Sequence, residues 1–289
     1  MNIPSQLRKY LVAGYCGLTL PWRYLRNARA AAVGQSPVMI FFYHRIADDQ
    51  CVPWNHTNAE FQRQVCWLRE HCDLVSLSEA QARIASGYVT RPTAAITFDD
   101  GYAENCEQAI PWLIAQQIPC TYYVSTDFVR QQRPFPQDAA LGLDLPPNTV
   151  QQIRDMSDAG IEIGGHTRSH CDLGKVHDPA TVYDEVIGGA HDLEDMTGRA
   201  VRTFAFPYGL PKNMSPAVFD LCQQEGYSSV ASAYGDYNLP GEDSFHLRRI
   251  HADDMIRLRN WGTVDPRKLR YRMQYDYRAT IPLNDMVTV

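Results

Sequence analysis

Ala94-Ala95-Ile96-Thr97-Phe98-Asp99-Asp100-Gly101-Tyr102 is the stretch on which the reading of this chain turns. An apolar run ends in two adjacent carboxylates, and a glycine follows them. Such a run, bounded by a turn residue, reads as a buried strand with a sharp exit. Side chains alternate along a strand, so neighbouring Asp residues inside one would face opposite ways. Where the strand ends at the pair, both carboxylates reach one cavity from the loop. For a solitary Asp-Asp, a helix N-cap beside a surface acid is the plain alternative. A second stretch, Gly164-Gly165-His166-Thr167-Arg168-Ser169-His170, sets this pair apart.

Outward from this stretch, strand and helix patterns alternate. Upstream, residues 38–44 form a buried-strand pattern, and a loop rich in Asp, Pro and Asn runs to about residue 57. Phe61, Val65 and Leu68 then recur at helical spacing behind Asn58 as a candidate N-cap. Leu74-Val75-Ser76 is a short strand, and Ser78 starts a helix that stops at Gly87. Downstream, residues 103–117 read as a helix in which Pro111 marks a kink or a first turn. Residues 120–125 are a strand. Residues 127–147 carry four prolines and no periodicity, which predicts a long lid loop. A helix from Asn148 to Gly160, capped at each end, leads to the strand 161–164, which runs into the two histidines. A long helix over 179–198 precedes the strand 203–206, which ends in Pro207-Tyr208-Gly209. A helix over 215–226, a strand over 227–231 and a last strand over 245–251 complete the pattern. The alternation predicts a parallel α/β fold, either an open doubly wound sheet or a closed barrel. No glycine-rich phosphate loop opens the first helix, which weighs against a dinucleotide site.

The chain of 289 residues carries 27 Lys and Arg against 33 Asp and Glu, a net charge of -6. That argues against nucleic acid as a partner. Eight scattered cysteines with no CxxC pair read as reduced, mostly buried thiols. They favour a cytoplasmic or membrane-associated setting over a periplasmic one. Three regions are expected: a basic N-terminal segment at 1–35, a main domain at 36–256 and a basic, aromatic C-terminal extension at 257–289. The N-terminal segment holds Arg8, Lys9, Arg23, Arg26 and Arg29 and no acid. Its apolar run at 10–20 is too short to span a bilayer, and no cleavage site follows it. It is either a basic amphipathic segment resting on anionic lipid or a helix packed on the domain.

Asp99-Asp100, His166 with His170, and Pro207-Tyr208-Gly209 each follow an expected strand, at the edge where parallel α/β folds build their sites. Two imidazoles and a carboxylate suit a divalent cation with open positions, Zn²⁺ or a similar ion. One Asp can ligate while its neighbour takes a proton from an activated water. The Tyr208 N–H is a candidate for stabilising an oxyanion. A leaving amine needs a proton, most simply from a histidine.

The motifs Thr97-Phe98-Asp99-Asp100-Gly101-Tyr102, His166-Thr167-Arg168-Ser169-His170 and Phe204-Ala205-Phe206-Pro207-Tyr208-Gly209 together resemble the polysaccharide deacetylase family, the NodB-homology or carbohydrate esterase family 4 domain. The opening Phe41-Phe42-Tyr43-His44-Arg45-Ile46 is similar to its exopolysaccharide-biosynthesis members. The resemblance covers residues 36–252. It implies a distorted (β/α)7 barrel, TIM-barrel-like, and metal-dependent removal of N-acetyl groups from an N-acetylated polysaccharide or glycolipid. The implied metal is Zn²⁺, with Co²⁺, Ni²⁺ or Mn²⁺ as alternatives. Asp99 matches the catalytic base, Asp100, His166 and His170 the metal ligands, and Tyr208 the residue whose N–H meets the oxyanion. Two positions depart from the pattern. Many members tether the base with an arginine in Arg-Pro-Pro-Tyr-Gly; here Ala205 stands there, and Arg249 is the expected substitute. The late Leu-x-His motif reads Leu247-Arg248-Arg249, so His251, on the strand face of Arg249, is the expected general acid, with His44 as its competitor. A glycan-binding protein with a degenerate site and a non-haem iron oxygenase are the competing classes. An oxygenase has no use for the spare Asp.

Overall fold

Val38–Tyr43 (β1) is buried along its whole length, as expected of a parallel strand covered on both faces. The computed structural model describes residues 18–19, 21–22, 24–50 and 52–252. The extension expected at 257–289 lies outside the described residues. After β1 come Arg45–Ile46 (β2) and Asn55–His56 (β3), which pair with each other. The main sheet adds Asp73–Leu74 (β4), Thr93–Phe98 (β5), Cys120–Val124 (β6) and Glu162–Gly165 (β7). It continues with Thr203–Ala205 (β8), Ser229–Ala231 (β9), His246–Leu247 (β10) and Arg249–His251 (β11). The order is β10-β9-β8-β7-β6-β5-β1-β11, all parallel, with β4 against the start of β5.

That order decides between the two architectures. β10 and β11 are separated by Arg248 alone, yet they stand at opposite ends of the order. The chain therefore crosses from β9 to β1 within 246–251 and nearly closes a barrel of seven strand positions. The single strand expected over 245–251 is in fact two. At the crossing, Asn238 stands in for a strand neighbour: its Oδ1 accepts from Arg248 N–H at 3.0 Å and its Nδ2 donates to the Arg248 carbonyl at 3.0 Å. Its backbone meanwhile bridges Val38.

Two apolar shells follow from strand alternation. Met39, Phe41, Tyr43, Ile96, Phe98, Tyr122, Phe204 and Val230 point outward and pack under the helices. Val38, Ile40, Ala95, Tyr123, Ala205, Ala231 and Leu247 fill the lumen. Three alanines leave room there for the Tyr123 ring. Gly164 is obligatory beside it, because a Cβ at that position would lie 2.5 Å from the ring.

Several local readings are corrected. The expected helix 103–117 is a 3-10 turn, Ala103–Cys106, followed by an α-helix, Ala109–Ala115. Pro111 sits in that helix's first turn, where its missing N–H has no partner to lose. The 127–147 lid is partly helical, Thr126–Gln131 and Pro136–Ala139. These pieces are too short to show a 3.6-residue period, but Phe128, Phe135 and Leu145 bury against Tyr102. Thr57, Ser76 and Thr149 are the N-caps, not Asn58, Ser78 and Asn148. Asn58 is instead spent on Asp48. The 179–198 helix contains a π turn, Asp184–Gly188. Cys66, Cys72, Cys106, Cys120, Cys171 and Cys222 are free thiols.

Candidate active site

The carboxyl ends of the strands open into a cleft of about 620 Å³. Asp99, Asp100, His166, His170, Tyr208, His44 and His251 all line it, with Phe42, Trp54, Pro136 and Gln137. Arg249 is fully buried beneath it.

β5 ends at Phe98, so Asp99 and Asp100 stand on the turn. Asp99 N–H still donates to the Tyr43 carbonyl at 2.8 Å, while Asp100 enters the left-handed backbone region at φ 73°. That reversal is what lets both carboxylates face the cleft. Thr167 (φ 61°), His170 (φ 58°) and Tyr208 (φ 63°) share the region. Non-glycine residues are held there at a cost of about 1–3 kcal/mol each, and such strain concentrates at functional sites. Gly209, at φ 55°, completes the third turn; a Cβ on it would come 2.5 Å from the Ala233 nitrogen.

The Nε2 atoms of His170 and His166 lie 3.1 and 3.4 Å from Asp100 Oδ1. Their ligating atoms all fall within 4.8 Å of one another. His166 Nδ1 lies 2.8 Å from the Ala205 carbonyl, which can only accept. The proton therefore sits on Nδ1, and Nε2 turns its lone pair to the cleft. Asp100 Oδ1 is buried with no hydrogen-bond partner. The His166 Nε2 lone pair faces Asp100 Oδ1 across 3.4 Å, and the three ligating atoms converge on one point, so these three residues fit a divalent ion. Burial alone would raise the Asp100 carboxyl; the imidazoles of His170 and His166 outweigh it and hold the group well below its usual range. Burial likewise depresses His170, but Asp100 overrides it and raises the imidazole.

Asp99 is kept off this trio. Arg249 grips it with both ends of the guanidinium, at 2.6 and 2.8 Å. The rest of Arg249 is also committed: Nε donates to the Ser232 carbonyl at 2.8 Å and Nη1 to Thr97 Oγ1 at 3.1 Å. Phe42 and Tyr123 present their rings 4.9 and 5.2 Å from its Cζ, a favourable cation–π setting. Against the upward push of burial, Arg249 and His166 hold the Asp99 carboxyl below its ordinary value.

Two supports were not legible in the sequence. Glu185, on the π turn, accepts from the backbone N–H groups of Arg168 and Ser169, both at 3.0 Å, and from Ser169 Oγ at 2.7 Å. Its own carbonyl accepts Arg168 N–H as well. It thereby shapes the loop between the two histidines. A Glu within a helical pattern reads as solvated surface, so only the π turn could have singled it out. Asn105 donates to the His44 carbonyl at 2.7 Å and accepts from Ile46 N–H at 2.8 Å. Buried Arg45 bonds Glu104 beside it, at 2.9 Å. Together they fix the strand end that carries His44. Glu185→Ala is expected to weaken divalent-metal binding by about 10–100-fold, read by competition titration, with little change in melting temperature.

His44 and His251 stand side by side, ring centroids 5.9 Å apart. His251 packs edge-on against Phe42 at 4.9 Å. Burial holds the His44 imidazole below its ordinary value, against the opposing pull of Asp100 and Asp99.

A model of the polysaccharide deacetylase family matches residues 86–230, half of the chain, taking in both Asp residues of the turn, both histidines of the trio and Tyr208. The chain belongs to the polysaccharide deacetylase family. His44, Arg249 and His251 lie outside that match. A chitooligosaccharide deacetylase from Bradyrhizobium sp. (strain ANU 289) is 29% identical over 139 residues, 48% of this chain and 51% of its own. The chain thus spans about half the length of this curated relative. Among solved structures, IcaB from Ammonifex degensii superposes with a TM-score of 0.65 at 22% identity, covering 79% of this chain and 98% of its own. The Streptococcus pyogenes deacetylase PplD, in complex with acetate, gives 0.63 at 17% identity, covering 75% and 92%. Both share the deacetylase barrel.

Proposed function

We propose that this chain is a metal-dependent carbohydrate N-deacetylase that acts on an N-acetylated polysaccharide or glycolipid in exopolysaccharide or envelope synthesis. Residues 36–256 form its catalytic unit in this reading. The observation that carries it is the division of labour at the turn after β5: Asp100 joins two histidines, while Asp99 is ionised, anchored by Arg249 and left beside them. A binding protein needs no such spare base.

A divalent cation, Zn²⁺ by the donor set, would be held by Asp100, His166 and His170, and supplies Lewis-acid polarisation of the amide carbonyl and of a water. Asp99 takes the proton from that water; its bidentate grip on Arg249 fixes the orientation of the carboxylate. The Tyr208 N–H, turned by its left-handed φ, donates to the oxygen that gains charge. The departing amine takes a proton from an imidazole. His251 shares the strand face of Arg249. His251 is therefore the first to test, with His44, its ring 5.9 Å away in the same cleft, as its competitor. Trp54, Phe42 and Tyr208 offer apolar walls for a sugar ring.

The test is acetate release from N-acetylglucosamine oligomers. Release is expected with Zn²⁺, to stop with a chelator, to return on adding metal and to proceed without O₂. Replacing the true proton donor by Ala is expected to lower kcat by about 10²–10⁴, and the other histidine by far less. A chain that releases no acetate from any N-acetylated glycan, or does so only with O₂, overturns the reading.

A further inference from the structure

The chain ahead of β1 carries a second surface. Residues 18–19, 21–22 and 24–32 are helical. Leu18, Trp22, Tyr24, Leu25 and Val33 are each more than half exposed. At 100° per residue, Leu18, Trp22, Leu25 and Arg29 fall within an arc of about 60°. Asn27, Ala30 and Ala31 occupy the other side and are half-buried, while Arg26 flanks the arc beside Trp22. This helix thus turns its apolar face outward, the reverse of a helix packed on a domain. The Arg26 guanidinium lies 5.4 Å from the Trp22 ring, and Arg29 stands within the apolar arc, exposed. Residues 1–35 hold five basic side chains and no acid, in a chain whose net charge is -6.

The helix joins the foot of the barrel. Val89 N–H donates to the Gly34 carbonyl at 2.7 Å, and Ser36 N–H to the Val89 carbonyl at 2.9 Å. These bonds lie at the starts of β1 and β5, whereas the cleft opens at their ends. Tyr88, packed beside Gly34, adds another exposed ring. Among the described residues no helix is long and apolar enough to cross a membrane.

We propose that this face docks on an anionic phospholipid bilayer, with Trp22 and Leu25 seated among the headgroups and Arg26 and Arg29 drawn to the lipid charge. An exposed apolar helix face interleaved with arginine has the chemistry of an interfacial anchor. The charge separates a bilayer from other apolar partners: a neutral protein surface would gain nothing from a segment this basic. A second copy of this chain is the competing occupant, and the experiment below separates it from a bilayer. Docked this way, the barrel foot faces the lipid. The mouth of the cleft stands farther out by the length of β1, about 20 Å for six residues at roughly 3.3 Å each. On the deacetylase reading, the sugars reached are those extended into water, not those beside the headgroups. The docking itself does not depend on that reading.

The experiment is flotation of the full chain with vesicles of phosphatidylcholine alone and of phosphatidylcholine with phosphatidylglycerol at 7:3. Binding is expected only to the anionic vesicles, and to fall at 0.5 M NaCl. One basic residue near such a surface is worth roughly a fivefold change in affinity, so Arg29→Glu should weaken binding about tenfold or more. The pair Trp22→Glu and Leu25→Glu should abolish it. Acetate release from a soluble oligosaccharide, far from this face, should stay unchanged and reports that the variants fold. Failure to bind anionic vesicles at low salt overturns the proposal. Equal binding by the Trp22→Glu/Leu25→Glu chain does so too, as does a dimer that these substitutions dissociate without any vesicle binding.

Discussion

Asp99→Asn is expected to lower kcat for acetate release by about 10²–10⁴-fold, the range for losing a positioned general base, while zinc affinity stays within a few-fold of the parent. The two readouts separate Asp99 from its neighbour. The amide keeps the size of the carboxylate and still offers Arg249 one oxygen, but it cannot take a proton. Asp100, His166 and His170 are untouched, and the Nδ1 bond of His166 to Ala205 still fixes the tautomer. Asp100→Asn is expected to reverse the pattern by lowering metal affinity first. Steady-state kinetics and a metal-competition titration on the same preparations check both. Asp99→Asn retaining a third or more of parental turnover would remove Asp99 from the chemistry.

Arg249→Leu is the substitution with the largest expected effect on stability. Asp99 and Arg249 are both buried, with side-chain exposures of 4% and 0%. Removing one partner of a buried ion pair costs about 3–5 kcal/mol, because the other charge is left uncompensated. The pH dependence changes sign with it. In the parent, the Asp99 pKa is depressed below the ordinary 3.8. Its contribution is therefore fully present above that value and is lost as pH falls through the folded pKa. Without Arg249 burial dominates, and the carboxyl titrates above 3.8. The stability deficit should then be largest near pH 7 and shrink towards pH 4, where a protonated Asp99 is tolerated. Urea midpoints at pH 7 and pH 5 measure this. Adding Asp99→Asn to Arg249→Leu should recover part of the loss, which a merely space-filling arginine would not predict. Turnover should fall as well, since the base loses its anchor.

The legible parts of this protein are those set by neighbours in the sequence. β1 announces itself as an unbroken apolar run and β5 by Ala94-Ala95-Ile96 at its centre, and the glycine after Asp100 marks the turn. The HxxxH pair behind two glycines sits where its strand stops. The caps lie one or two residues from the expected positions, since Thr57 and Asn58, or Thr149 and Asn148, are equally good capping chemistry. Which one caps depended on which was claimed elsewhere, as Asn58 is by Asp48. The lid helices are not legible in the sequence because four to six residues cannot display a helical period.

By itself, then, the sequence determined the alternating α/β plan, the edge at which the polar clusters collect and the residue types that meet there. These follow from backbone conformation over a few residues. Only the tertiary structure decided that the sheet closes, through a strand split at Arg248. It also decided that Arg249 reaches Asp99 across 150 positions of sequence, and that Glu185 shapes the histidine loop. The physical reason is one of range. Local patterning chooses which face a side chain takes, whereas the partner it meets there is fixed by barrel closure, which brings β11 beside β1.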